Sequence, residues 1–213
     1  MKFILSAVEP ELFNAFRTVA SALHDVDAIQ GSILDIDCDA IVSPANSFGF
    51  MDGGIDAVYM RHFGSSIQTK VRERILYDFA GELLVGQATI VETGQERPKY
   101  LIAAPTMRIP QILGSETVNP YLATRATIIL ANSGVLPTNL EQQGRPIRDV
   151  VQSIAIPGLG TGIGRVPAQI CAHQIKQAIV DFRDGAFRLP QSWSDASVQH
   201  QELYQSKPRN LQY

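Results

Sequence analysis

Cysteine is scarce: Cys38 and Cys171 are the two in 213 residues, they have no ligand-like spacing, and such usage points to a reducing compartment. The four histidines, His24, His62, His173 and His200, form no metal motif, so no metal and no cofactor are expected. Long apolar runs are missing as well. The stretch from Phe3 to Val8 is too short for a signal peptide, and no segment has the length to span a bilayer. The expected location is cytoplasmic, with no membrane partner. Positive charge is not in excess either: 18 Lys and Arg stand against 21 Asp and Glu, giving a net charge of −3 and a pI near 5.8. That balance argues against general nucleic-acid binding, which needs a basic face, while leaving a local basic patch open. There is no internal repeat, low-complexity tract or obvious domain linker. What the chain does have is 45% hydrophobic and 18% charged residues, an ordinary globular composition with enough length for a substantial core.

Strand-like and helix-like segments alternate. Strands are expected at 2–8, 26–31, 39–43, 88–92, 100–104 and 150–156. Helices are expected after Pro10, over about 55–80 with an interruption near Gly64-Ser65-Ser66, and over 120–132 and 167–182. This order predicts an α/β fold, a three-layer α/β/α sandwich with a mixed central sheet. The domain is expected to cover 1–186. The more polar segment 187–213, with one short helix near 194–204, forms a C-terminal extension that packs on the body, contacts a protein partner or stays mobile.

Two glycine-rich stretches stand out. In Asp39-Ala-Ile-Val-Ser-Pro-Ala-Asn-Ser-Phe-Gly-Phe-Met-Asp-Gly-Gly-Ile-Asp56 a β-favouring run stops at Ser43-Pro44, and Gly53-Gly54 open a helix. Asn46 and Asp56 lie ten positions apart beside those glycines. In Ser153-Ile-Ala-Ile-Pro-Gly-Leu-Gly-Thr-Gly-Ile-Gly164 a buried strand ends at Pro157, and a helix starts near Val166-Pro167. Glycines ahead of a helix N-terminus let backbone N–H groups approach anionic oxygens, and alternate glycines form a concave row of donors. One such turn is weak evidence; two, each between a strand and a helix, suit the clamping of a diphosphate.

Each residue also has a plainer role available. Asp56 at a helix N-terminus stabilises the helix dipole by about 0.3–1 kcal/mol without any catalysis, and Asn46 can order its own loop. A ligand role for Asn46 is favoured because ligands bind at the carboxyl ends of strands in α/β sheets. Thr161 can bond phosphate or cap the next helix. The loop tip of Phe48, Phe50 and Met51 packs inward or covers a ligand. Cys171 and His173 are expected to be core and surface residues rather than a nucleophile and its base, and Arg108 a solvated charge.

These stretches resemble the macrodomain family, which binds ADP-ribose. The family's "DAIVNAAN" strand is similar to Asp39-Ala-Ile-Val-Ser-Pro-Ala-Asn46, and its "GGGVDGAI" junction to Gly53-Gly-Ile-Asp-Ala57. Its "STGIYGFP" loop is similar to Gly160-Thr-Gly-Ile-Gly-Arg-Val-Pro167. Gly31-Ser-Ile33 falls where the family has "GDI", and 100–105 resembles "VIHTVGP", so the likeness runs from about Gly31 to Asp181. The resemblance implies Asn46 and Asp56 as catalytic residues. It implies Ser32, Ile33, Ala45, Asn46, Gly53, Gly54, Ile55, Gly158, Gly160, Thr161, Gly162, Ile163 and Gly164 as ligand-binding residues. Three positions depart from the pattern. Ser32 replaces the aspartate that accepts from adenine, Ser43 replaces the first strand-end asparagine, and Gly164 replaces an aromatic that stacks on the distal ribose. Phe48, Phe50 and Arg165 are the candidates to fill that last role.

Three functions remain open on the sequence. One is a hydrolase acting on an ADP-ribosyl ester, either an ADP-ribosylated carboxylate or O-acetyl-ADP-ribose, with Asp56 activating water. The second is a reader module that binds ADP-ribose or a related nucleotide without turnover. The third is an assembly protein of the same fold with a vestigial cleft.

Overall fold

The computed structural model describes residues 1–44, 46–138, 140–183 and 189–209. Its centre is one six-stranded sheet of β1 (Lys2–Ala7), β2 (Val26–Gln30), β3 (Ala40–Ser43), β4 (Thr89–Glu92), β5 (Tyr100–Ala103) and β6 (Ser153–Ile156). Across the sheet the strands run β2-β1-β6-β3-β5-β4. All neighbours are parallel except β4, which is antiparallel to β5 at one edge, with Thr89 opposite Ala103 and Glu92 opposite Tyr100. The sheet is therefore mixed, as the sequence led one to expect.

Both faces are covered, which is why the central strands are continuously apolar rather than alternating. The helices are α1 (Pro10–Ala22), α2 (Gly54–Phe63), α3 (Ser66–Asp78), α4 (Asn119–Ser133), α5 (Ala168–Arg183) and α6 (Trp193–Glu202). On one face, Phe3, Leu5, Ala40, Val42, Ile102, Ile154 and Ile156 meet Phe16 and Val19 of α1, Ile128 of α4, and Ile175 and Ile179 of α5. On the other, Ile4, Ile41, Leu101 and Ala155 meet Tyr59 and Phe63 of α2, and Ile67, Val71 and Ile75 of α3. Side chains of successive strand residues point to opposite faces, so Ile41 and Val42 enter different layers. The result is an α/β/α sandwich.

Local chemistry sets the element ends. Pro10 and Pro120 sit in first helical turns, where a missing N–H costs nothing. Gly64 ends α2 and separates it from α3, at the interruption foreseen from the sequence. Beyond α5, the extension carries α6, one helix later than the sandwich requires. It meets α5 where Nε2 of His173 bonds the Glu202 carbonyl at 2.9 Å. The expected domain boundary at 186/187 lies outside the described residues. Among the described residues, no helix is long and apolar enough to cross a membrane.

Candidate ligand-binding cleft

Because β3, β5, β6, β1 and β2 are parallel, the segments after Ser43, Ala103, Ile156, Ala7 and Gln30 all emerge at one edge of the sheet. That edge is where open α/β sheets hold ligands. It gathers both glycine-rich loops.

The first loop leads from β3 into α2. Gly53 is the N-cap of α2 and no side chain caps it; Gly54 takes a φ of +56°, a left-handed value that a side chain would strain. Among the described residues, no protein acceptor takes the N–H groups of Gly54 or Ile55. The second loop turns at Gly160, with φ +70°. A methyl group there would press on Leu113 Cδ1 and Val166 Cγ2 at 3.1 Å. Within this loop Arg165 N–H donates to Gly162 O and Val166 N–H to Gly160 O, whereas those of Thr161, Gly162 and Ile163 have no protein acceptor among the described residues. The two loops face each other: a methyl on Gly53 would lie 4.0 Å from Ile163 Cδ1. Two sets of unpaired donors, one of them on a helix N-terminus, form a cradle of the kind that suits an anion.

Asp56, on the first turn of α2, is buried at 7% exposure. The hydroxyl of Ser43, at the end of β3, donates to its Oδ1 at 2.5 Å. Oδ2 has no protein partner among the described residues, yet it is not among the sealed, unpartnered atoms. Burial pushes this carboxyl up from 3.8 to about 7, and the Ser43 hydrogen bond pulls in the opposite direction. One turn on, Tyr59 is fully buried and its phenol is held well above its ordinary range by burial.

Asn46 bonds within its own loop. Its Oδ1 accepts from the N–H groups of Phe48 at 3.1 Å and Phe50 at 3.2 Å, and its Nδ2 donates to Phe50 O at 2.8 Å. The same loop is tied to α3: Arg72 lies 4.3 Å from the Phe50 ring centre and donates to Phe48 O at 3.0 Å. Met51 is buried in the core, and Phe48 stacks under Arg108 at 5.1 Å. Arg108 is the solvent-exposed charge expected of it, and it pairs there with both oxygens of Glu82, at 2.6 and 3.2 Å.

The remaining site residues divide by what they can offer. Ser32 caps the short 3₁₀ turn of Ile33–Asp35, its Oγ accepting from Leu34 N–H at 3.2 Å. Ile33 is buried in the core, so only its backbone is available to a ligand. Gly158 has no room for a side chain: a methyl there would collide with Thr161 Oγ1 and Leu12. Gly164 is equally closed, since a Cβ would strike the Gly160 carbonyl, and its own carbonyl accepts from Leu113 N–H at 2.9 Å. An aromatic residue has no place there. Arg165 is exposed, and no acidic partner pairs with it among the described residues. Ala45 lies outside the described residues. Cys171 is buried, accepts from Leu159 N–H, and its thiol is pushed up to about 12 by burial, which leaves it inert at neutral pH. Among the described residues, no three His, Cys, Asp or Glu side chains cluster as metal ligands do.

Two contributors escaped the sequence reading. Ser43 was noticed as a departure but not as the partner of Asp56. Leu113, in the loop between β5 and α4, carries no motif; only its contacts with Gly160 and Gly164 reveal it. A cavity of about 870 Å³ lies elsewhere, between α4, α5 and α6, and is lined by Tyr121, Arg125, Gln177 and His200. Its size alone does not mark the site of an anion.

Residues 42–175 match the Macro domain family. An uncharacterized protein of Aquifex aeolicus is 34% identical over 158 residues, 74% of this chain and 82% of that protein. A Macro domain-containing protein of Caldanaerobacter subterraneus is 26% identical, over 76% of this chain and 82% of its own. Among solved structures, the macrodomain of Mycobacterium tuberculosis DarG superposes with a TM-score of 0.54 at 22% identity, covering 74% of this chain and 89% of that one. A mutant Oceanobacillus iheyensis macrodomain solved with ADPR gives 0.57 at 18% identity, covering 71% and 74%. The match to that family over more than half of its length places this chain in the Macro domain family.

Proposed function

We propose that the chain binds ADP-ribose, free or attached to another molecule, by clamping its diphosphate between the Gly53–Gly54 turn and the loop 158–164. The observation that carries this reading is the set of unpaired N–H groups on two facing loops. Gly54, Gly162 and Ile163 are exposed, so their N–H groups are open to a ligand, and phosphate oxygens are the acceptors that a helix N-terminus and a row of loop amides favour. The ADPR seen in a family structure supports the ligand class. Calorimetric titration with ADP-ribose tests it: saturable binding is expected, and its absence refutes the reading.

A second reading, hydrolysis of an ADP-ribosyl ester, is favoured by one feature, the half-free buried carboxyl of Asp56. A general base works best with an ionisation midpoint near the working pH, and burial brings this carboxyl to about 7. Water would add its hydroxyl to the electrophilic carbon while its proton passes to Asp56. The ester C–O bond then breaks, its electron pair staying on the departing oxygen, which collects that proton. Release of ADP-ribose from an ADP-ribosylated carboxylate or from O-acetyl-ADP-ribose is the assay; binding without release leaves a reader module.

A further inference from the structure

The bond between Ser43 and Asp56 joins two elements that the rest of the site depends on. Ser43 is the last residue of a central strand and is 1% exposed; Asp56 is on the first turn of the helix whose N-terminus carries the Gly53–Gly54 donors. A carboxyl has two oxygens and free rotation about its terminal torsion. A single donor at 2.5 Å removes that freedom and makes the oxygens unequal, one engaged and one available. No second protein donor competes for Oδ2 among the described residues.

We propose that Ser43 is a positioning residue for Asp56: its hydroxyl fixes Oδ1 against β3 and leaves Oδ2 as the oxygen that meets water or ligand. The arrangement follows the logic of a base held by a third group, with a hydroxyl as the orienter. It rests on the functional reading given above, and assigns to Ser43 a task that its type alone does not reveal. The carboxyl senses little else. No charged side chain contributes to its ionisation, and its titratable neighbour is Tyr59 on the same helix, held neutral by burial.

The test is a ¹³C-carboxyl NMR titration of the full chain, with Asp56 assigned by its loss in Asp56→Asn, alongside ester hydrolysis from pH 5 to 9. Ser43→Ala is expected to raise the Asp56 midpoint by about one pH unit, because a hydrogen bond to the charged form is lost. The acidic limb of kcat/KM moves with it. Ser43→Thr, which keeps the hydroxyl, returns both to wild-type values, and Ser43→Cys, a weaker donor of similar size, falls between. A purely structural role for Ser43 would lower thermal stability and leave the midpoint in place; that result overturns the proposal, even in a protein that binds ADP-ribose normally. A wild type that neither binds ADP-ribose nor cleaves the ester refutes the functional reading instead, and the carboxyl titration still decides whether Ser43 governs Asp56.

Discussion

The phenol of Tyr59 donates to the main-chain carbonyl of Val42 at 3.0 Å, one residue before the serine that holds Asp56. Helix α2 is thus bolted to the end of β3 at two successive positions, both buried. Tyr59→Phe keeps the ring and deletes one bolt. A buried carbonyl left without its donor costs about 1–3 kcal/mol, so the urea midpoint should fall with the m-value unchanged. A variant as stable as wild type would show that this hydrogen bond contributes nothing.

Asp56 makes stability depend on pH with a definite sign. Its carboxyl ionises at about 7 in the folded chain against an ordinary value of 3.8. The native state therefore holds the proton more tightly than the unfolded state, and folding is favoured while the group is protonated. This contribution is complete below about pH 4 and is lost as pH rises towards 7. The full difference corresponds to about 4 kcal/mol. Asp56→Asn removes the ionisation, so its stability relative to wild type should increase between pH 4.5 and 8, measured by denaturant unfolding at each pH. A constant difference would mean that the carboxyl is not perturbed.

The choice of glycine matters for testing the cleft. Gly54 needs its positive φ, so any side chain there strains the backbone as well as blocking phosphate. Gly53 has an ordinary extended conformation, and an added methyl meets only Ile163, at 4.0 Å. Gly53→Ala should fold and bind ADP-ribose almost normally. Gly53→Glu should fold but lose roughly tenfold or more in affinity, since like-charge juxtaposition costs several kcal/mol. Equal affinity of the two variants in calorimetry would move the diphosphate away from this loop.

Asn46 offers a separate check on loop order. Removing its amide in Asn46→Ala deletes the bonds to Phe48 N–H, Phe50 N–H and Phe50 O. Each is worth about 0.5–1.5 kcal/mol, so hydrogen exchange at the Phe48 and Phe50 amides should accelerate roughly tenfold or more. Unchanged exchange together with lost ADP-ribose affinity would instead make Asn46 a direct ligand residue.

The same contrast separates what was legible in the chain from what was not. The strand and helix order could be read because periodicity and proline or glycine punctuation act over a few residues; Pro10, Pro44, Gly64 and Pro120 each mark a boundary found in the structure. The glycine loops were legible for the same reason, and so was the ten-residue interval from Asn46 to Asp56. Which groups the Asn46 amide bonds was not. A side-chain amide bonds whatever lies nearest, and that is set by the path of the loop against α3 through Arg72.

By itself, then, the sequence determined a doubly covered mixed sheet, two donor-rich turns and a carboxylate beside one of them, all consequences of short-range backbone chemistry. Only the tertiary structure decided that Gly53 faces Ile163, that Leu113 closes over Gly164, that Glu82 neutralises Arg108, and that Ser43 engages one oxygen of Asp56. These depend on where segments far apart along the chain come to rest. Burial and hydrogen bonding act through space, and no local pattern of residues encodes the partner a side chain will meet.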